Sequence, residues 1–394
     1  MTNQTEARLL KITGVMGSGM IGVDPYANGS WSGSSPYFFR ECERQHFLNR
    51  AFGVEAPRWQ KLPLMLRNHS FDRKLWVQKF YLDTAYYRCL ERALVQALTP
   101  AERQGPILQL GGIYNLRRHL PADTYLCSYH DGNLAEAVRS PHFYAKVGRS
   151  KVDKALAFER EVYQGLNRIF VMSHYLKRSF VADFGVSPDK VTVVGAGMNL
   201  PTIPSEPPVR TWQPKILFIG VDFERKGGQD LLAAFASVRK ALPAAELHIV
   251  GPSKIDIPAG LSAGVVCHGF LTKSKPEDQA RLESLFAQCS LFALPSRYEP
   301  FGIAPLEAMA HGMPCVLTDR WAFPDMVQPG VNGELVPCEA PQLLAESLTR
   351  LLQQPEALAR MGQAARALAL GEFTWEAVVN RIRETIVADM GGAA

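Results

Sequence analysis

Residues 291–319, LFALPSRYEPFGIAPLEAMAHGMPCVLTD, limit what this chain can fold into more than any other stretch. Residues 291–295 form a short apolar run, the length of a buried strand. Residues 296–300 are a polar loop carrying Arg297 and Glu299. Phe301-Gly302-Ile303 leads into a helix pattern over 304–311. Gly312 is a helix stop, and 314–318 begins another strand. Strand, loop, helix and strand in that order make half of a parallel-sheet unit. A chain of 394 residues has room for two such domains.

The chemistry of the stretch lies in its loop and first helical turns. Glu299 precedes the helix, and Glu307, eight positions on, sits about one turn inside it. The helix start at Phe301, Gly302, Ile303 and Ala304 offers unpaired N–H groups and a positive dipole end, which attract phosphate. Gly302 leaves the backbone open to a ligand. Two carboxylates beside an anion site suit a ligand with phosphates and hydroxyls, as in a nucleotide sugar.

The string from Glu299 to Ala310, EPFGIAPLEAMA, resembles the E-x7-E signature of retaining glycosyltransferases of the GT-B fold, family 4. The flanking ALPS and HGMPCV fit the same pattern. The resemblance implies two doubly wound, Rossmann-like domains facing across a cleft. It also implies transfer of a hexose from a nucleotide-diphosphate sugar to a glycan, lipid-linked or small-molecule acceptor. Glu299 is then expected to hold sugar hydroxyls and Glu307 the ribose.

Composition narrows the alternatives. A net charge of +5 and a pI near 8.8 favour anionic ligands but do not imply nucleic acid. The seven cysteines are odd in number and lack CxxC spacing, so they read as reduced, mostly buried thiols of a cytoplasmic protein. No signal-peptide pattern opens the chain, and no apolar run reaches membrane-spanning length. No metal is expected, because cations and a helix end can serve the diphosphate and no Asp-x-Asp pair precedes the site.

Along the chain, 9–16 reads as a first strand. Residues 17–22 formally match G-x-G-x-x-G, but Asp24-Pro25, Asn28-Gly29 and Gly33 interrupt the helix that motif needs. The segment is instead similar to the glycine-rich loop at the cleft mouth of GT-B enzymes, with Gly33 and Ser34 in its core, before a helix over 35–47. Residues 36–98 are rich in aromatics, and 72–98 fits one long amphipathic helix. Core packing is the preferred reading of that region. Contact with an acceptor or a membrane surface is the other, since Arg67, Arg73, Lys74 and Lys79 stand among the aromatics.

Apolar runs at 106–112 and 124–129 read as strands. The second leads into His130, which by resemblance faces donor sugar and phosphate. A strand over 168–173, a helix over 174–184 and a strand over 191–194 close the first domain at about residue 200. Its end is AGMN where the family pattern finishes in NGVD. A proline-rich linker spans 201–214.

The second domain, 215–373, opens with a strand over 215–219 and a loop carrying Arg225, Lys226 and two glycines ahead of a helix over 229–242. That loop is an anion site. The family's Gly-Arg…Lys-Gly motif holds the donor phosphates. Lys226 matches its lysine, whereas Val221 stands where the arginine belongs, so Arg225 becomes the candidate substitute. His268, Gly269 and Phe270 are similar to the family's base-contacting segment. A last helix, within 374–394, is expected to cross back to the first domain. Rival readings are a nucleotide-sugar epimerase or phosphorylase, a non-catalytic carbohydrate-binding protein, and an NAD-linked dehydrogenase using 17–22.

Overall fold

The computed structural model describes residues 10–17, 23–111, 114–208 and 212–391. The G-x-G-x-x-G match therefore lies outside the described residues from position 18 on, as do three positions of the linker. Two compact units are present. One comprises Met1–Gly195 with Trp375–Ala394, the other Ala196–Thr374.

The first unit is built on six parallel strands, β1 (Ile12–Met16), β2 (Leu48–Gly53), β3 (Ile107–Leu110), β4 (Leu126–His130), β5 (Arg168–Val171) and β6 (Val191–Val193). Their order in the sheet is β2-β1-β3-β4-β5-β6. β1, β3 and β4 are buried at every residue, as strands covered on both faces must be. The edge strand β2, LNRAFG, is largely accessible and broken by Asn49-Arg50, so it gives no apolar run to read. Helices α1 (Ser35–Arg44), α2 (Arg58–Arg67), α3 (Arg73–Tyr81), α4 (Thr84–Ala97), α5 (Leu134–Arg139), α6 (Arg149–Gly165) and α7 (His174–Phe184) complete the connections.

Two sequence expectations need correction here. The helix expected over 35–47 ends at Arg44, because His46 turns left-handed at φ 54° and the chain enters β2. The single helix expected over 72–98 is two, α3 and α4, broken at Leu82-Asp83. Asp83 is buried and caps α4, accepting from the Ala85 N–H at 3.1 Å. Asn68 Nδ2 donates to the same carboxylate at 2.6 Å, and Arg67 and Lys151 pair with it. A buried aspartate with four partners outweighs the helix propensity of its neighbours.

The second unit repeats the plan with β7 (Lys215–Ile219), β8 (Glu246–Val250), β9 (Val265–Gly269), β10 (Leu291–Leu294), β11 (Cys315–Thr318) and β12 (Gly333–Val336). The order is β12-β11-β10-β7-β8-β9, all parallel. Its helices are α8 (Gly228–Ala241), α9 (Pro276–Gln288), α10 (Ile303–Ala310), α11 (Phe323–Met326), α12 (Pro341–Leu352) and α13 (Pro355–Glu372). From β7 the chain winds outward to β9 and then returns to lay β10 on the other side of β7. Strand order reverses between these two strands. Ligands of open parallel sheets bind at such a switch point, beyond the strands' carboxyl ends.

Helix α14 (Trp375–Asp389) packs in the first unit. Trp375 meets Phe38 edge-on at 5.9 Å, and Arg381 donates to the Val194 carbonyl at 3.0 Å. Asp389 pairs with Arg168 and accepts from the Tyr125 hydroxyl at 2.5 Å. Among the cysteines, Cys42, Cys127, Cys289 and Cys315 are buried and Cys267 is exposed.

Asp83→Ala should cost about 2 kcal/mol or more in chemical denaturation, the top of the range for a lost helix cap, since it also removes a buried acceptor shared by Asn68, Arg67 and Lys151. A loss within about 0.5 kcal/mol would show that the break between α3 and α4 does not depend on this carboxylate.

Candidate active site

The loops after β7 and β10 meet beyond the carboxyl ends of the two central strands of the second unit. Their contact leaves no room for side chains. Gly227 has φ 74°, and a Cβ there would lie 1.9 Å from the Pro295 carbonyl oxygen. A Cβ on Gly228 would lie 2.2 Å from the Phe223 ring. The Arg225 carbonyl accepts from the N–H groups of Arg297 at 2.8 Å and Tyr298 at 3.4 Å, so the loops are also joined through the backbone.

The β10 loop delivers the chain into α10 through Gly302, at φ 97° and ψ 90°. A Cβ at this position would lie 2.8 Å from the Phe323 ring. No side chain caps α10. The first-turn amides of Ile303 and Ala304 therefore carry the positive end of the helix dipole without a side-chain partner. Phe301 is buried and tilts against Phe373 at 6.4 Å.

Glu299 and Glu307 are buried, 6% and 4% exposed. Each meets a lysine from a different loop. Lys226 Nζ, after β7, contacts Glu299 Oε2. Lys273 Nζ, after β9, contacts Glu307 Oε1 and donates to the Asn199 carbonyl at 2.9 Å. Burial pushes the Glu307 carboxyl up, and Lys273 opposes that rise. Three loops at the carboxyl edge of one sheet thus converge on two ion pairs, each with a buried glutamate and a part-exposed lysine, flanking an uncapped helix start.

Arg225 does not extend from its loop. Its guanidinium is held by Asp222 Oδ2 at 3.0 Å and the Tyr298 carbonyl at 3.0 Å, so as placed it braces the two loops. Val221 is 64% exposed. Among the described residues, no three His, Cys, Asp or Glu side chains are grouped to hold a metal ion.

Residues 201–368 match the family described as "Glycosyl transferases group 1". The match lies within the second unit and covers less than half of the chain. Over 239 residues it is 30% identical to D-inositol 3-phosphate glycosyltransferase of Segniliparus rotundus, covering 57% of this chain and 52% of that protein. Over 230 residues it is 32% identical to MMP alpha-(1->4)-mannosyltransferase of Mycolicibacterium hassiacum, covering 56% and 54%. The chain thus spans only 52% and 54% of the length of these two curated relatives. Sucrose-phosphate synthase of Thermosynechococcus elongatus superposes with a TM-score of 0.72 at 17% identity, covering 97% of this chain and 99% of that one. Anabaena Alr3699/HepE, solved with UDP and glucose, superposes at 0.60 and 18% identity, covering 96% and 100%. These likenesses are of fold: two Rossmann-like domains of the GT-B class.

Within this unit, Lys273 is the residue that sequence reasoning missed. It belongs to no motif. The signal available was its place just past the His268-Gly269-Phe270 segment, on the same sheet edge as Lys226. Gly269 has φ 69°, and Phe270 is 59% exposed.

His268 is the end of a hydrogen-bonded chain. Its ring stacks on His248 at 5.3 Å, with His268 Nε2 3.1 Å from His248 Nδ1. His248 Nε2 lies 3.0 Å from Glu246 Oε2, and Arg281 Nη2 lies 3.3 Å from His268 Nδ1. One proton arrangement satisfies all three contacts. Arg281 donates to His268, His268 Nε2–H donates to His248, and His248 Nε2–H donates to Glu246. Both rings are then neutral. Burial, then the neighbouring His248 and Arg281, push His268 down to about 4; burial also lowers His248.

The remaining candidates lie in the first unit. His130 ends β4 at 1% exposure, its Nε2 2.7 Å from Ser128 Oγ and its ring edge-on to Tyr163 and Phe180. Burial pushes it down to about 3. The structure places this side chain in the core between helices α6 and α7. In the expected cleft-mouth loop, Gly33 has φ 84° and Ser34 is buried. Trp31 of the same turn is buried edge-on against Tyr129 at 5.0 Å, so the loop is anchored into the unit.

A histidine lowered on folding binds fewer protons than in the unfolded chain. The stability it lends is complete above the ordinary value of 6.5 and is lost as pH falls from there toward about 4 for His268. Nitrogen-15 NMR at pH 6 should find His248 and His268 both neutral and protonated on Nε2, and the melting temperature should drop as pH falls through that window. An imidazolium signature from either ring at pH 6 would refute the chain.

Proposed function

We propose that the protein transfers a hexose from a nucleoside-diphosphate sugar to a carbohydrate or lipid-linked acceptor, with retention at the anomeric carbon. The observation that carries this reading is the pair of lysine-bound, buried glutamates on either side of the uncapped start of α10. Buried carboxylates are strong acceptors for hydroxyl groups. Glu307 would take the ribose hydroxyls and Glu299 those of the sugar. Lys273 opposes the upward pull of burial on Glu307 and so favours the ionised form, which can accept two hydroxyl hydrogens.

As the bond between the sugar carbon and the phosphate oxygen breaks, its electron pair leaves with the diphosphate. Lys226 and the amides of Ile303 and Ala304 stand where that charge would collect. This assignment asks for no metal. The base would lie along Gly269 and Phe270, with His268 holding that segment in place. The retaining mode rests on the E-x7-E string. The names of the relatives, a glycosyltransferase acting on inositol phosphate and a mannosyltransferase, favour a hexose as the transferred group. In this reading Arg225 serves by bracing the two loops and His130 by fixing the end of β4. The turn at Gly33 and Ser34 would border the acceptor.

Calorimetry with UDP, GDP, ADP and NAD, without added metal, tests the donor class. One nucleoside diphosphate should bind clearly more tightly than the others, and that one identifies the base. Binding of NAD alone would overturn the reading.

Glu307→Gln should weaken that nucleotide by about tenfold or more, near 1.4 kcal/mol, with little change in melting temperature, since the amide keeps the shape. Undiminished affinity would remove Glu307 from the ribose.

A further inference from the structure

Helix α2 buries none of its residues. Leu64 and Met65 lean against the core of the first unit, and the Trp76 indole donates to the Met65 carbonyl at 2.9 Å. The other side of the helix is also apolar. Trp59, Leu62 and Leu66 recur at intervals of three and four, so they share one helical face. They are 73%, 59% and 66% exposed. Phe71, in the turn before α3, is fully exposed. Single exposed apolar residues are ordinary, but four large ones within thirteen positions form a surface that water solvates poorly.

The charges around this face are of one sign. Between positions 55 and 80 there are six cations, Arg58, Lys61, Arg67, Arg73, Lys74 and Lys79, against Glu55 and Asp72. Asp72 is already engaged, capping α3 through the Lys74 and Leu75 amides and pairing with Lys146. Arg58, Arg73 and Lys74 are exposed. An apolar helical face ringed by cations is complementary to an anionic lipid surface, whose acyl boundary takes the rings and whose phosphates take the cations. Among the described residues no helix is long and apolar enough to cross a membrane.

We propose that α2 and the turn at Phe71 dock on an anionic membrane surface. Trp59, Leu62, Leu66 and Phe71 enter the headgroup–acyl boundary, and Arg58, Lys61, Arg73 and Lys74 bind lipid phosphate. The contact does not depend on the donor site and goes beyond the proposed reaction by naming the surface on which the protein works.

Co-sedimentation of the full chain with vesicles tests it, comparing phosphatidylcholine alone with phosphatidylcholine mixed with phosphatidylglycerol. Binding should require the anionic lipid and weaken as salt rises. The triple variant Trp59→Ser, Leu62→Ser, Phe71→Ser should bind at least about tenfold less with an unchanged melting temperature and nucleotide affinity, since these side chains lie outside the core. No binding to mixed vesicles would overturn the proposal. So would lipid-free dimers that the triple variant abolishes, which would make this face a contact between copies.

Discussion

Two lysines held against two buried glutamates set the terms for the second unit. A carboxylate loses most of its hydration at 4–6% exposure, and without a partner it would be protonated or would force the loop open. Lys226 and Lys273 are those partners, and they come from loops that follow different strands. The pairs therefore tie the ends of β7 and β9 to the loop and helix that follow β10. Glycines 227 and 302 permit the close approach, and the Arg225 brace holds the loops in register. If a lysine is removed, its buried glutamate remains as an uncompensated charge, which costs about 3–5 kcal/mol in such settings, whereas the lysines, 16% and 30% exposed, keep access to water when a glutamate is neutralised.

Much of this was legible in the sequence because it was local. The run 291–319 contains its own strand, helix start, glycine stop and second strand, and the structure follows it to within a residue or two. Helix α7 and strand β7 match their expected bounds, since each is a continuous apolar pattern with a clear stop. Lys226 and Glu299, 73 positions apart, are in contact.

What escaped was set at a distance. Lys273 is 34 positions from Glu307, and nothing near it in the chain marks it. Asp83 breaks an amphipathic run because Asn68 and Lys151, 15 and 68 residues away, converge on it. β2 is an edge strand, so its composition carries no burial signal. Arg225 and His130 illustrate another limit. Each was assigned by its place after a strand, but side-chain direction depends on neighbours: Asp222 and Tyr298 turn the arginine back, and Tyr163 and Phe180 enclose the imidazole.

The return of α14 to the first unit makes the second unit an insertion within the first. During synthesis, β1 to β6 leave the ribosome long before the helix that covers Phe38 and pairs with Arg168. The inserted unit has its whole sheet and its own core by the time Phe373 is made. Its assembly can finish first, while the earlier-made sheet still lacks a helix. The first unit alone needs residues from both ends of the chain, and it is the unit that carries the exposed apolar face of α2.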